Sequence, residues 1–323
     1  MSNQAPVADG LTRLGQRLTH PIAIIAIFTL LMLVVGQAMT PGFAQPSQLV
    51  SLLRIAAFLG FISAGQTLVI LAGNEGIDLS VGSIVTVAAI IVFALNGTIG
   101  LSLAIVLALG AGALVGFLNG LGIAGLGLQP LMMTLGMAGV VKGAVLVVTG
   151  GRPTGTENQG LTAFVTQPWI AGVPGTVLLW LALGIALHIF LTRSPYGKSI
   201  YAYGANARAA RLAGMRTRAI SIATYTASGL LAAVGGVVLL GYTGSVFINL
   251  GEPYTLPSIA AVVIGGTLLS GGAGSYWGTM TGALMLTVLQ SFLIMLGLPE
   301  FARQITYGAL LVMVLAIYSR ANE

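Results

Sequence analysis

Glu75 and Asp78 stand three residues apart in GNEGIDLSVGS, residues 73–83, between two long apolar runs. Carboxylates placed there have three uses: capping the helix that follows, contacting the hydroxyls of a polyol, or carrying protons. Asp78 and Ser80 are capping residue types just ahead of an apolar run, and the glycines around Asn74 and Glu75 permit a tight turn, so capping and packing are the leading expectation. Lys142 lies near the middle of another apolar run and needs a carboxylate, carbonyls or water as partner. Arg54, also within a run, can reach the outer interface with its long stem.

The segment 203–218 reads YGANARAARLAGMRTR. Asn206 is a good N-cap, residues 207–213 are good helix formers, and Gly214 suits the left-handed position that ends a helix. A short helix with its own start and stop, detached in a loop, is expected. Arg208 and Arg211 fall on one face of it, and with Arg216 and Arg218 they make a basic surface suited to an acidic groove on a soluble partner. The competing explanation is the ordinary excess of arginine on the cytoplasmic side of membrane proteins.

Other chemistries are excluded. The chain has no cysteine, which removes disulfides, thiolate metal sites and a cysteine nucleophile, and His20 and His188 are isolated. Gly197, Lys198 and Ser199 resemble the end of a phosphate-binding loop, but Thr192 stands where its first glycine is required. With no nucleotide site and no cofactor expected, active transport would take its energy from a partner or an ion gradient. The net charge of +6 is explained by arginines at cytoplasmic helix ends, without nucleic acid.

The elements that position these residues follow from composition. The chain is 56% hydrophobic and only 6% charged, against about 25% charged for a soluble domain. A surface so poor in charge faces a lipid bilayer. A spanning helix needs about 20 apolar residues, and the runs near 21–39, 49–72, 80–96, 101–122, 130–150, 173–192, 220–243, 255–270, 276–296 and 303–319 suggest about ten spans. The expected fold is an all-α, polytopic transmembrane bundle. Residues 1–20 precede one domain, 21–319, whose cytoplasmic loop is 193–219, and 320–323 form a tail.

The third and eighth runs are short and glycine-flanked, as broken or re-entrant helices are. Ten spans place Arg13, Arg17, Arg193, Lys198, Arg208, Arg211, Arg216, Arg218 and Arg320 on the inside, with both termini cytoplasmic. Arg152, Glu157, Trp169 and Glu252 then fall in exterior loops. Gly112, Gly116 and Gly120 form a smooth stripe for a neighbouring helix, and Gly265 with Gly266 suggests another close approach and turn. A faint inverted repeat relates residues 66–87 to 260–284.

The blocks GNEGIDLSVGS at Gly73, GANARAARLAG at Gly204 and IAAVVIGGTLLSGGAGSYWGT at Ile259 resemble, in order and spacing, the characteristic blocks of ribose-type ABC permeases. The resemblance covers about residues 20–319. It implies a fold like that of the cobalamin-importer class and a homodimer of permease chains in a bacterial inner membrane. Its implied partners are a cytoplasmic ATP-binding cassette ATPase and a periplasmic sugar-binding protein. Matched to the family's coupling segment, Asn206, Arg208, Arg211 and Gly214, with Arg216 beside them, would seat on the ATPase. Ala207 and Arg208 depart from the acidic or proline residues common there, and Asn74 and Glu75 depart from small ones. The permease itself makes no covalent bond. The cargo implied is ribose, another pentose, a hexose or a related polyol. The alternatives are an ion-coupled secondary transporter, with Asp78, Glu75 and Lys142 as a charge relay, and a passive channel.

Overall fold

The computed structural model describes residues 21–170 and 172–321; Arg13, Arg17 and His20 lie outside it. In chain order the elements are α1 (Pro21–Met39), α2 (Pro46–Leu71), α3 (Val81–Ile99), α4 (Leu101–Leu126), α5 (Pro130–Thr149) and α6 (Gln159–Thr166). A short antiparallel pair, β1 (Pro168–Ile170) and β2 (Val173–Pro174), follows. Then come α7 (Gly175–Arg193), α8 (Pro195–Ala205), α9 (Ala207–Leu212), α10 (Thr217–Thr243), a 3-10 turn at Glu252–Tyr254, α11 (Thr255–Ile264), α12 (Tyr276–Met295) and α13 (Glu300–Ala321). Pro46 and Pro130 open α2 and α5, where a missing backbone N–H costs nothing.

Eight helices among the described residues are long and apolar enough to cross a bilayer: α1 to α5, α7, α10 and α12. Eight of the ten expected runs correspond to such helices; those near 255–270 and 303–319 do not. The run expected to be a short third span is a full helix of 19 residues, α3. The run expected at 255–270 is instead the ten-residue α11, which at 1.5 Å per residue covers about half of the hydrocarbon thickness. Five glycines between Gly265 and Gly274 end it. Residues 244–254, irregular up to the 3-10 turn at Glu252–Tyr254, make up the distance. Gly244 lies against Glu157 while Gly271 lies against Gly73 and Gly204, so the whole segment carries the chain from one end of the bundle back to the other. The tenth expected stretch, 303–319, is helical within α13 but is not among the eight.

α2 and α10 occupy the centre. α10 packs on α2, α3 and α4, and α12 packs on α1, α2 and α11. The glycine stripe sits where the sequence placed it: Gly112, Gly116 and Gly120 face the α10 backbone at Gly229, Tyr225 and Ile222. Side chains there would force the two helices apart. On the outside, α1, α4 and α5 expose Leu30, Val34, Leu126, Val147 and Val148, which suits lipid or a second chain rather than water. The long stem of Arg54 reaches the end of α6, where its Nη2 donates to the carbonyl of Thr166 at 3.1 Å and ties α2 to that segment.

Candidate functional site

The three sequence blocks meet at one place. The turn after α2, the end of α8 and the turn after α11 touch through glycine backbone. Gly272 N–H donates to the Leu71 carbonyl at 3.0 Å. A Cβ at Gly204 would overlap that same carbonyl, and one at Gly73 would stand 2.8 Å from the Gly204 carbonyl oxygen. Gly271 rests on the Gly73 backbone and Gly272 on Ala205. Only chains without side chains approach this closely, which explains the glycine at each block.

α9 projects from this junction. Asn206 caps it, its Oδ1 accepting the Ala209 N–H at 2.9 Å. At the other end Gly214 takes φ +79°, Met215 N–H donates to Ala210 O at 3.1 Å, and Gly214 N–H donates to Arg211 O at 3.0 Å. This pair of bonds is the Schellman closure, in which the left-handed residue folds the chain back on the last turn. The detached helix expected at 207–213 is therefore present, with both of its stops. Ala210 is buried beneath it while Arg208, Arg211 and Arg216 are exposed. Leu212 is 83% exposed beside them, an apolar residue that the charge pattern alone did not single out.

Between α9 and the bundle lies a cleft of about 1170 Å³, with Asn74 and Glu75 on one wall and Tyr203, Arg211 and Arg216 on the other. Burial pushes the Tyr203 phenol above its ordinary range, opposed by the charge of Arg211. Asn74 and Glu75 both have left-handed backbones, at φ 56° and 57°, which side-chain-bearing residues adopt at a cost.

Asp78 is fully buried, away from this cleft. Its Oδ1 accepts the Ser80 amide at 3.0 Å and the Ser80 hydroxyl at 2.6 Å, and its Oδ2 accepts the Ser228 hydroxyl at 2.9 Å. Asn119 Nδ2 donates to Ser80 Oγ at 2.8 Å, and Gln66 closes a pair of bonds with the Asp78 backbone. The Asp78–Ser80 turn thus knits α2, α4 and α10 together ahead of α3: the carboxylate reaches α10, the Asp78 backbone α2 and the Ser80 hydroxyl α4. Ser80 occupies the capping position of α3, but its hydroxyl turns to Asp78 instead of to the helix amides. The expected capping is therefore corrected: Asp78 organises the turn, and Ser80 relays it to Asn119. Sequence reading missed Gln66, Asn119 and Ser228, whose only signal was an amide or hydroxyl inside an apolar run.

Gly265 packs against the Gly278 backbone, and Gly266 turns at φ +88°, so both serve the break after α11. Of the partners Lys142 could take, it has a carboxylate: its Nζ lies 3.2 Å from Glu252 Oε2, across from α5 to the 3-10 turn. Glu75, Asp78 and Lys142 do not share a site. Among the described residues no group of histidines and carboxylates could hold a metal ion.

Comparison with known proteins agrees with the motifs. A family model described as the permease component of branched-chain amino acid transport systems matches residues 48–315. The ribose import permease protein of Bacillus subtilis is 34% identical over 290 residues, covering 89% of this chain and 89% of its own length. The autoinducer 2 import system permease protein of Shigella flexneri is 34% identical over 315 residues, 95% of this chain and 87% of its own. The fructose import permease protein of Rhizobium meliloti is 32% identical over 318 residues, 94% and 88% respectively. No solved structure matches the chain.

Proposed function

Since this chain belongs to the permease-component family of branched-chain amino acid transport systems, we propose that it forms the membrane pathway of an ABC importer for a monosaccharide or a similarly small polyhydroxylated solute. The relatives reported above are named for ribose, fructose and autoinducer 2, and none of those three for an amino acid. ATP hydrolysis belongs to a cytoplasmic cassette ATPase, and delivery to a periplasmic binding protein at the end that carries α6 and Trp169. Two copies of this chain enclose the pathway in a bacterial inner membrane, with α9 and both termini on the cytoplasmic side. The half-helix α11 with residues 244–254 completes one further crossing and α13 another, an even total that returns the chain to the side where it began and is in keeping with the cobalamin-type arrangement.

The observation that carries this reading is α9: a capped helix with exposed Arg208, Arg211 and Leu212, seated on the junction where the α2 and α11 turns meet. Asn206 and Gly214 fix its length, Arg208, Arg211 and Arg216 give it charge for an acidic groove, and Leu212 offers an apolar anchor. A pull on α9 passes directly into the backbone of both turns, because no flexible side chain lies between Gly204, Leu71 and Gly272. One turn leads through the Asp78 cluster into α3; the other leads into α11. In this role Asp78, Ser80, Gly265 and Gly266 are structural, and Asn74 and Glu75 face the cleft under α9.

The test is reconstitution of this chain with its candidate ATPase and binding protein, measuring uptake of labelled ribose, fructose and a branched-chain amino acid. Sugar uptake that disappears when any one component is omitted supports the reading. Uptake of the amino acid alone would overturn the assignment of substrate class.

A further inference from the structure

The Lys142–Glu252 pair stands in an unusual place. Lys142 is seven residues before Thr149, the end of α5, which at 1.5 Å per residue puts it roughly 10 Å inside the bundle. Glu252 reaches the same depth independently. The neighbouring Gly251 N–H donates to Thr86 Oγ1 at 2.9 Å, and Thr86 stands seven residues below Phe93, whose carbonyl accepts the Thr156 amide of the end loop. Both partners are anchored on one face of α3: Ser83 Oγ donates to the carbonyl of Ala138, one turn before Lys142, and Thr86 holds Gly251.

Despite that depth the pair points out of the protomer, with side chains 46% and 62% exposed. Hydrocarbon does not fit such a surface. A charged side chain facing hydrocarbon at membrane depth is costly, and residues 244–251 also present non-helical backbone and the exposed Asn249 on the same stretch. Irregular backbone at membrane depth is tolerated only inside protein or along water. Charge, depth and backbone therefore point to one environment.

We propose that Lys142 and Glu252 form a water-facing station in the translocation pathway, where an uncharged polyhydroxylated solute exchanges hydroxyl hydrogen bonds with the pair. This rests on the importer reading above. An ammonium offers donors only and a carboxylate acceptors only, so side by side they match a hydroxyl, which is both. Neither end binds a neutral solute strongly, and a station on a pathway must release what it holds.

The absence of native cysteine makes the test direct. Lys142→Cys, Glu252→Cys and the control Val140→Cys are each made in the full chain, incorporated in proteoliposomes and treated with a membrane-impermeant charged thiol reagent. Val140 is 65% exposed at nearly the same depth, on another side of α5. Labelling at 142 and 252 at least tenfold faster than at 140 is expected; rates as slow as at 140 would overturn the water-facing placement. In the reconstituted importer, Lys142→Gln and Glu252→Gln are expected to lower sugar uptake at least fivefold. The Lys142→Glu, Glu252→Lys double variant is expected to recover at least half of wild-type uptake. Unchanged uptake in both Gln variants would overturn the solute-handling role even if labelling is fast. Labelling needs no ATP, partner or sugar, so its failure is distinct from failure of the importer assignment.

Discussion

Gly272 donates its amide to the carbonyl of Leu71 at 3.0 Å, joining the turn after α11 to the last residue of α2. Gly204, at the end of α8, presses on that same carbonyl. Parts of the chain far apart in sequence thus share one oxygen, and α9 hangs from the point where they meet.

A methyl group at Gly204 must displace backbone. Gly204→Ala is expected to destabilise the chain by about 2 kcal/mol, in the range of overpacking a filled site. Gly110→Ala, in α4 where a Cβ meets nothing within 4 Å, is expected to be neutral or stabilising by about 0.5 kcal/mol through helix propensity. Thermal unfolding of the purified variants in detergent checks both, and equal shifts would show that the junction is not under close contact.

The left-handed pair in the turn after α2 predicts the opposite sign. Asn74→Gly or Glu75→Gly removes the cost of holding a side chain at φ 56° or 57°, and each is expected to stabilise by about 0.5–1 kcal/mol after the added freedom of the unfolded chain is counted. A loss of stability in both would mean that these side chains make contacts worth more than the backbone strain.

Asp78 is satisfied by hydroxyl and amide donors and acts as a strut. Asp78→Ala strands the hydroxyls of Ser80 and Ser228 in a buried site, and is expected to cost about 3 kcal/mol, as unpaired buried donors do. Asp78→Asn keeps an acceptor oxygen and is expected to cost less and to retain uptake. A well-folded Asp78→Asn that has lost transport would instead favour a charge relay of the ion-coupled kind.

Reversing the charge of α9 separates coupling from folding. Arg208→Glu with Arg211→Glu is expected to lower ATP-driven uptake at least tenfold while leaving thermal stability within about 0.5 kcal/mol, since both side chains are exposed. Wild-type uptake in this variant would remove α9 from the coupling path. Leu212→Asp is expected to act in the same direction.

Much of this was legible in the residues. Asn206 and Gly214 bounded α9 because capping is local chemistry, read from a few neighbouring residues. The Gly112, Gly116, Gly120 stripe was equally plain, although only folding identified α10 as its partner. Lys142 required a carboxylate, carbonyls or water by its position, but nothing pointed to Glu252, which lies 110 residues on in a loop that hydropathy places outside the membrane. The glycines marked the eighth run, 255–270, as a broken helix, but its end at Ile264 was not legible, because apolar composition reports burial whereas the break is set by glycines packing backbone on backbone. The Asp78 cluster was half visible: the carboxylate and Ser80 stood out, but the rest of the cluster is two amides and a hydroxyl, Gln66, Asn119 and Ser228, spread over three helices.

The central claim is that this chain moves its solute with energy delivered by an ATPase through α9. The most direct measurement is solute accumulation in proteoliposomes holding this chain, its ATPase and its binding protein, with ATP supplied and the proton and sodium gradients collapsed. Accumulation that needs ATP and ignores the gradients is the predicted result. Accumulation by this chain alone, driven by an imposed ion gradient and indifferent to ATP, would contradict it.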